Sequence, residues 1–448
     1  MERRREAVNF IPVVLLTAVG FASVYAARSS QISAGSLGYG LLFLGIFVAV
    51  HAILRIAAPH ADPYLMPITG LLAAMGIMMI YRIDPSLAAA QATWLLVGVG
   101  LFTAIIIFLR NYRKLDDYIY LLGIIGILLL VVTIVAGTDL NGSGVRLWLK
   151  IGGIVIQPGE FSKVLITIFL AGYLHTKREL LSTTTWRFAG VPMPPLKHLG
   201  PLLTVWGVSF GMLLLMNDLG PSLLLFGIFL GMVYAATGRV TYPAIGVVLI
   251  TAAGTFAYFT KAIVHLRVDL WLNPWTDATN KGYQLVQSLF AIGDGGLFGT
   301  GLGKGYLLAQ NGNPIIPALH TDFIFSAIAE ELGLVGASGL IILFLLLSYR
   351  GFKIAVDADD GFSKLLAAGI SIGFALQTFF IIGGVMKLIP LTGITLPFVS
   401  YGGSSIVSNF ASLALLVLIS NRTNSQRART AREARLAAPA TAAAGRPS

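Results

Sequence analysis

Apolar runs of about 20 residues, parted by short polar breaks, recur from one end of this chain to the other. Twelve are long enough to cross a bilayer as helices: about 11–27, 36–54, 65–81, 92–109, 118–136, 158–175, 199–216, 220–237, 241–260, 322–348, 365–386 and 403–420. The pattern gives way for long only once, at 260–321. Within that polar stretch Tyr283, Leu285, Val286, Leu289 and Phe290 recur at helical spacing and predict a short amphipathic helix. A long polar segment with its own apolar periodicity is an ordered loop, and such loops carry function.

Composition agrees with the pattern. Of 448 residues 56% are hydrophobic and 11% charged, with a mean hydropathy of +0.82. The predicted class is an all-α polytopic integral membrane protein, with about 12 transmembrane helices and one large extracellular loop. The absence of cysteine excludes disulfides, zinc thiolates and a cysteine nucleophile. A net charge of +11 invites a nucleic-acid reading, but the basic residues sit at the ends of the apolar runs, where membrane orientation explains them. With twelve spans both termini share a side. That side holds 21 of the 31 Lys and Arg and the other side nine, which predicts cytoplasmic termini and an external 260–321 loop. Met1-Glu2-Arg3-Arg4-Arg5 resembles the start of a signal peptide, yet no convincing cleavage motif follows, so 11–27 reads as a retained helix. The tail from Asn421, rich in Arg and Ala, reads as disordered and cytoplasmic, close to anionic lipid.

Charged groups in or beside apolar runs are costly and usually functional. Glu160 and Lys163, three apart after Gln157-Pro158-Gly159, share a helix face; they form either a structural ion pair or the lining of a polar cavity beside the loop. Asp218, in Asn217-Asp218-Leu219-Gly220, reads foremost as a helix cap. Thr321 and Asp322 read as caps of the tenth span, and Glu330 and Glu331 lie two turns deeper, where at least one needs a buried partner. The stretch from Lys387 through Pro390 and Pro397 to Ser400-Tyr401-Gly402-Gly403 has the form of irregular backbone lining a cavity. The glycine run Gly293–Gly305 has no nucleotide-loop pattern, and its glycines read as permitting tight folding against the membrane surface.

The order and spacing of these motifs from about 65 to 420 resemble the SEDS family (shape, elongation, division, sporulation). Carrying the resemblance are Asn141-Gly142 with Arg146 and Trp148, Gln157-Pro158-Gly159-Glu160 with Lys163, and Asp218-Leu219-Gly220. Arg267 ahead of Pro274-Trp275-Thr276-Asp277, Gly282-Tyr283-Gln284, Thr321-Asp322-Phe323, Glu330-Glu331-Leu332-Gly333 and Ser400-Tyr401-Gly402-Gly403-Ser404 complete it. The chain resembles the elongation member more than the division member. It departs from the usual ten spans by two additional helices in 1–64, and by Gly159 where Ser or Ala is usual. The resulting division is 1–64, a SEDS core over 65–420, and the tail 421–448.

The resemblance implies a peptidoglycan glycosyltransferase that polymerises lipid II at the outer face of the plasma membrane. Its implied partner is a class B penicillin-binding protein that crosslinks the undecaprenyl-linked glycan. The family's catalytic carboxylate, in its Pro-x-x-Asp motif, falls on Asp277. As general base Asp277 takes the proton of the attacking 4-hydroxyl, and inversion at the anomeric carbon needs only that base and stabilisation of the leaving pyrophosphate. Arg146, Lys150, Arg267 and Lys281 are the candidate cations for that stabilisation. The candidate cofactor is a Mg²⁺ or Mn²⁺ ion on the pyrophosphate; the sequence presents no metal cluster and implies no organic cofactor. The competing readings are a lipid II flippase, a non-catalytic scaffold and a division role.

Overall fold

The computed structural model describes residues 2–28, 34–139, 146–182, 186–188, 191–193, 219–309 and 313–437, with isolated positions at 204, 207, 208, 211 and 215. In chain order the helices are α1 Glu2–Arg28, α2 Ala34–Ala57, α3 Leu65–Ile83, α4 Pro85–Phe108, α5 Ile119–Ala136, α6 Pro158–Ser182, α7 Leu219–Thr237 and α8 Thr241–Thr260. They continue with α9 Ala262–Leu272, α10 Tyr283–Asp294, α11 Ile324–Asp357, α12 Gly361–Val385 and α13 Gly403–Ala437. Among the described residues nine helices are long and apolar enough to cross a membrane, and α2 contributes a shorter apolar stretch, Leu41–Ala57. Helix α6, although more polar, has 25 residues. The seventh expected span, about 199–216, lies almost wholly outside the described residues, so the count of twelve stays a reading of the sequence.

The bundle has an inside and a lipid face. In their most apolar stretches 89% of α13, 78% of α3 and 72% of α12 is buried, against 11% of α8. Small residues bring the inner helices close, as expected where lipid supplies no hydrophobic contrast. Gly76 of α3 lies against the Val399 backbone, and Gly123 and Gly126 of α5 receive Phe169 and Ile166 of α6.

Contacts between distant segments sort into two ends. At one, Arg3 reaches the Ala61 carbonyl, Arg350 pairs with Asp62, and the His60 N–H donates to the Asn421 side chain at 2.9 Å. At the other, Arg82 pairs with Glu331 at 3.0 Å, and the Tyr401 N–H donates to the His320 carbonyl at 2.9 Å. Helix α1 therefore begins, and α13 leaves the bundle, at the same end.

Three expectations are corrected or refined. The tail is not irregular from Asn421: α13 runs on to Ala437, through a stretch of Ala, Arg and Glu that favours helix, and Arg427 ties it to Asp357 at 3.1 Å. The 137–157 stretch is not all loop. Leu149–Ile151 (β1) and Ile154–Ile156 (β2) pair antiparallel around Gly152-Gly153, whose φ values of +57° and +84° suit a two-residue hairpin turn. A second antiparallel pair joins Trp186–Phe188 (β3) to Val191–Met193 (β4) in the segment between α6 and α7. The glycine run folds against a helix. Helix α11 breaks at Gly333 (φ +66°, ψ −168°), and the run fills the break. The Thr300 and Gly301 N–H groups donate to the Glu330 and Glu331 carbonyls at 2.9 and 3.0 Å, and the Leu334 and Val335 N–H groups donate to Gly296 and Leu297 at 2.9 and 3.1 Å. A side chain at Gly299 would overlap the Glu331 carbonyl, so the backbones meet only because both sides are bare.

Candidate active site

The 260–321 segment is a short helical cap on one end of the bundle. Its first piece, α9, leads through Asn273 into a 3₁₀ turn, Pro274–Asp277, and after Lys281 into α10, the amphipathic helix expected from the sequence. Pro274 opens the turn where no N–H is needed, and the Asn273 side chain accepts from the Trp275 N–H at 3.3 Å.

That turn fixes Asp277. One carboxylate oxygen accepts from the Asn280 amide at 3.0 Å, and the other from the Lys281 backbone N–H at 3.2 Å. The Gly282 N–H donates to the Asp277 carbonyl at 2.9 Å, and a side chain at Gly282 would overlap the Pro274 carbonyl. Asp277 is half-buried and flanked by exposed Trp275, whose ring meets Phe290 of α10 edge-on at 5.6 Å. A carboxylate held through both oxygens, yet open on one side, suits a base that must meet an incoming hydroxyl.

Below the cap lies the irregular segment from Met386 to Gly402, with backbone in the left-handed region at Lys387, Gly393 and Phe398. Side chains hold it in place. Trp271 of α9 donates its indole N–H to the Lys387 carbonyl at 3.2 Å. The Ser400 hydroxyl donates to the Thr321 carbonyl at 2.6 Å and accepts from the Leu396 N–H at 2.9 Å. Gln91 of α4 clamps both sides of Tyr401, donating to the Ser400 carbonyl at 3.2 Å and accepting from the Gly402 N–H at 3.1 Å. Ser400 is thus a strut of the floor, itself buried.

Arg267 and Asp322 converge on Gly393 from the two ends of the cap: the Arg267 guanidinium lies 3.9 Å, and the Asp322 carboxylate 3.7 Å, from where a Gly393 side chain would start. Arg267 Nη1 is shut off from solvent with no hydrogen-bond partner among the described residues. Loss of hydration raises the Asp322 carboxyl to about 6, while the Thr321 hydroxyl and Arg267 pull it back. His320 stands edge-on to Tyr401 at 5.6 Å, and burial lowers its imidazole.

Of the other candidate cations, Lys281 meets Asp277 through its backbone, and its exposed side chain begins beside the carboxylate. Arg146 and Lys150 are exposed on the approach to the β1–β2 hairpin and along β1, and neither forms an ion pair with the described residues. Asp218 lies outside the described residues.

Glu160 and Lys163 do pair, at 2.8 Å, inside the bundle. Lys163 also donates to Gln377 at 2.9 Å, and Ser408 donates to Glu160 at 3.0 Å. The pair borders a small cavity of about 20 Å³ with Gln157, Pro221, Leu224 and Ile394. The geometry is that of an ion pair tying α6 to α12 and α13. Glu331 finds its buried partner in Arg82 and accepts from the Gly303 N–H at 2.8 Å, while Glu330 accepts from the Tyr306 N–H and lines a second cleft beside Asp294 and Phe290. Arg82, Gln91, Gln377 and Asn409 were not singled out from the sequence. Each is a lone polar residue in or at the end of an apolar run, the same signal that marks Glu160.

Among the described residues no group of three or more His, Asp or Glu is placed to hold a metal ion. Asp277 is a single carboxylate with both oxygens engaged. It fits an ion only where phosphate oxygens supply the remaining ligands.

Residues 62–425 match a family described as cell cycle protein, which groups FtsW, RodA and SpoVE. The chain is 41% identical over 396 residues to the peptidoglycan glycosyltransferase RodA of Mycobacterium tuberculosis, across 86% of this chain and 83% of that one. Identity is 39% over 418 residues to the protein of the same name in Mycobacterium leprae, across 91% and 88% of the two chains. It is 34% over 369 residues to stage V sporulation protein E of Bacillus subtilis, across 80% and 96%. Among solved structures the fold is similar to a chain of a peptidoglycan synthase complex that coordinates polymerisation and crosslinking (TM-score 0.65, 27% identity, 81% of this chain and 98% of that one). It is similar also to the rod shape determining protein RodA of Thermus thermophilus (TM-score 0.57, 26% identity, 81% and 97%).

Proposed function

The chain belongs to the SEDS family of RodA and FtsW type and is a multi-pass membrane peptidoglycan glycosyltransferase; from that premise we propose that Asp277 is its general base. The observation that carries this is the Asp277 turn, a half-buried carboxylate fixed through both oxygens by Asn280 and Lys281.

The substrate is lipid II, and the growing strand is its polymer on undecaprenyl pyrophosphate. Asp277 takes the proton from the 4-hydroxyl of the incoming GlcNAc as that oxygen bonds to the anomeric carbon of the strand. The bond from that carbon to the pyrophosphate oxygen breaks, and its electron pair leaves with the undecaprenyl pyrophosphate. Attack and departure on opposite faces invert the configuration. Arg267 supplies a fixed positive charge for the leaving group, and the exposed Lys281, Arg146 and Lys150 are the further cations for it. A Mg²⁺ or Mn²⁺ ion would neutralise the pyrophosphate further, and Asp277 would be a carboxylate ligand for it.

The partner is a class B penicillin-binding protein, by analogy with the synthase complex. The termini are cytoplasmic and the Asp277 cap external, in accord with the excess of Lys and Arg on the side of the termini. The role is in elongation, since the relatives of highest identity above carry the RodA name. A transport role is not favoured. The test is polymer formation from lipid II by the purified chain with a class B penicillin-binding protein in detergent. Glycan strands of many units support the proposal, and unchanged lipid II with the complex intact contradicts it.

A further inference from the structure

Beside α10, where it meets the loop leading to α11, lies a cavity of about 80 Å³ with an apolar part from Leu307, Ile316 and Leu319 and a polar part from Gln287, Asp294 and Glu330. Granted the lipid II reaction at Asp277, we propose that this cavity takes the 2-acetamido group of the acceptor GlcNAc, so that Gln287 sets sugar specificity.

Position joins the cavity to the reaction. Phe290 lines it, and the Phe290 ring meets that of Trp275, two residues before Asp277, at 5.6 Å. Phe290 and Trp275 are 50% and 51% exposed. An exposed aromatic pair beside the Asp277 carboxylate offers negative ring faces to the C–H groups of a sugar. A pyranose laid on that pair presents its 4-hydroxyl and its 2-substituent from different edges. The hydroxyl can then meet Asp277 while the substituent turns to the cavity.

The lining matches an acetamido group in both halves. Such a group carries a small methyl, one N–H donor and one carbonyl acceptor. Leu307, Ile316 and Leu319 are buried and give the methyl an apolar seat. Glu330 is 2% exposed. One of its carboxylate oxygens accepts from the Tyr306 N–H, which leaves the other for a substrate N–H. Gln287 forms no hydrogen bond among the described residues, and its amide can donate to the acetamido carbonyl. Charge excludes the other end of the substrate: among the described residues no Lys, Arg or His lines the cavity, and Asp294 adds a second carboxylate, so phosphate is repelled. Size agrees, since about 80 Å³ holds a group of a few heavy atoms and not a pyranose ring.

The experiment gives wild type, Gln287→Met and Asp277→Asn, each a full chain with its class B penicillin-binding protein, three forms of lipid II that carry acetamido, hydroxyl or free amino at C2 of GlcNAc. Polymerisation yields KM and kcat, and native mass spectrometry reads the lipid retained without turnover. Wild type is expected to favour the acetamido over the hydroxyl form by about 10²-fold in kcat/KM and to retain it selectively. Gln287→Met should raise KM for the acetamido form about tenfold with kcat held, and leave the hydroxyl form unchanged. Asp277→Asn instead lowers kcat for every form and keeps the binding preference, so the base and the cavity fail separately. Equal handling of the acetamido and hydroxyl forms by wild type, a preference for the amino form, or undiminished discrimination in Gln287→Met would overturn the proposal. Should Gln287→Met not fold, Gln287→Asn, one methylene too short to reach, takes its place with the same expectations. Should no polymer form, selective retention of the acetamido form that the Gln287 variant loses decides for the proposal, and unselective retention against it.

Discussion

Lys163 brings a positive charge into the helix bundle and finds three oxygens there, those of Glu160, Gln377 and Asn409 at 2.8, 2.9 and 3.5 Å. Removing it leaves Glu160 buried with Ser408 alone. Lys163→Met is therefore expected to cost about 3 kcal/mol of stability. Glu160→Gln/Lys163→Met should recover much of that loss, because no lone charge remains; additive losses in denaturant unfolding would contradict the coupling. Asp322 adds a pH dependence of known sign. Its value of about 6 lies above the ordinary 3.8, so the folded chain holds a proton there that the unfolded chain has released. Its favourable contribution is complete below pH 4 and is lost as pH rises through 6. The midpoint difference between wild type and Asp322→Asn should accordingly change between pH 4 and 6; a constant difference would remove Asp322 as the cause. The sequence marks these charges because ionisable residues beside apolar runs are rare, but it cannot name their partners. Arg82 and Glu331 are 249 positions apart, and only the fold brings them together.

Helix α11 shows why elements are harder to read than their residues. Its apolar run is plain in the sequence, but Gly333 sits inside it like any membrane glycine, and nothing local announces the break. The break is a partnership with a loop 30 residues earlier: Glu330 and Glu331 carbonyls freed by the kink meet the Thr300 and Gly301 N–H groups. Gly333→Ala should cost about 1–3 kcal/mol, from backbone that only glycine adopts without strain, plus the overlap with Gly299. Thermal unfolding checks this together with protease cleavage at 293–305, which should quicken as the glycine run loses its seat; unchanged values of both would refute the account. Span ends, by contrast, were legible to within a few residues at α3, α5, α7 and α8, because apolar length dictates them. The β1–β2 hairpin was not, since three-residue strands leave too little alternation to see.

At the scale of the whole molecule, the family match begins at residue 62, and α1 and α2 precede it and pack on α3 and α4. Phe47 fits against Gly70 and Met78 against Gly20, so the pair covers apolar surface of α3. A chain lacking residues 1–60 should polymerise lipid II at a rate within a few-fold of wild type, yet unfold several degrees lower; loss of activity in a folded truncation would give the pair a catalytic role. The membrane side of each end rests on the charge counts, and the structure places the start of α1 and the exit of α13 at one end. The site was legible in part. Asp277 came from a motif, whereas the floor beneath it, with Gln91, Ser400 and Trp271 holding irregular backbone, rests on contacts between distant segments. The central claim is that one carboxylate in this cap activates the acceptor hydroxyl. The measurement that tests it most directly is the rate of glycan formation from lipid II by wild type and Asp277→Asn, side by side with their thermal midpoints. The account predicts matching midpoints with a rate lowered by about 10²–10⁴-fold in the variant. Near-normal polymer from folded Asp277→Asn would contradict it and move the base elsewhere.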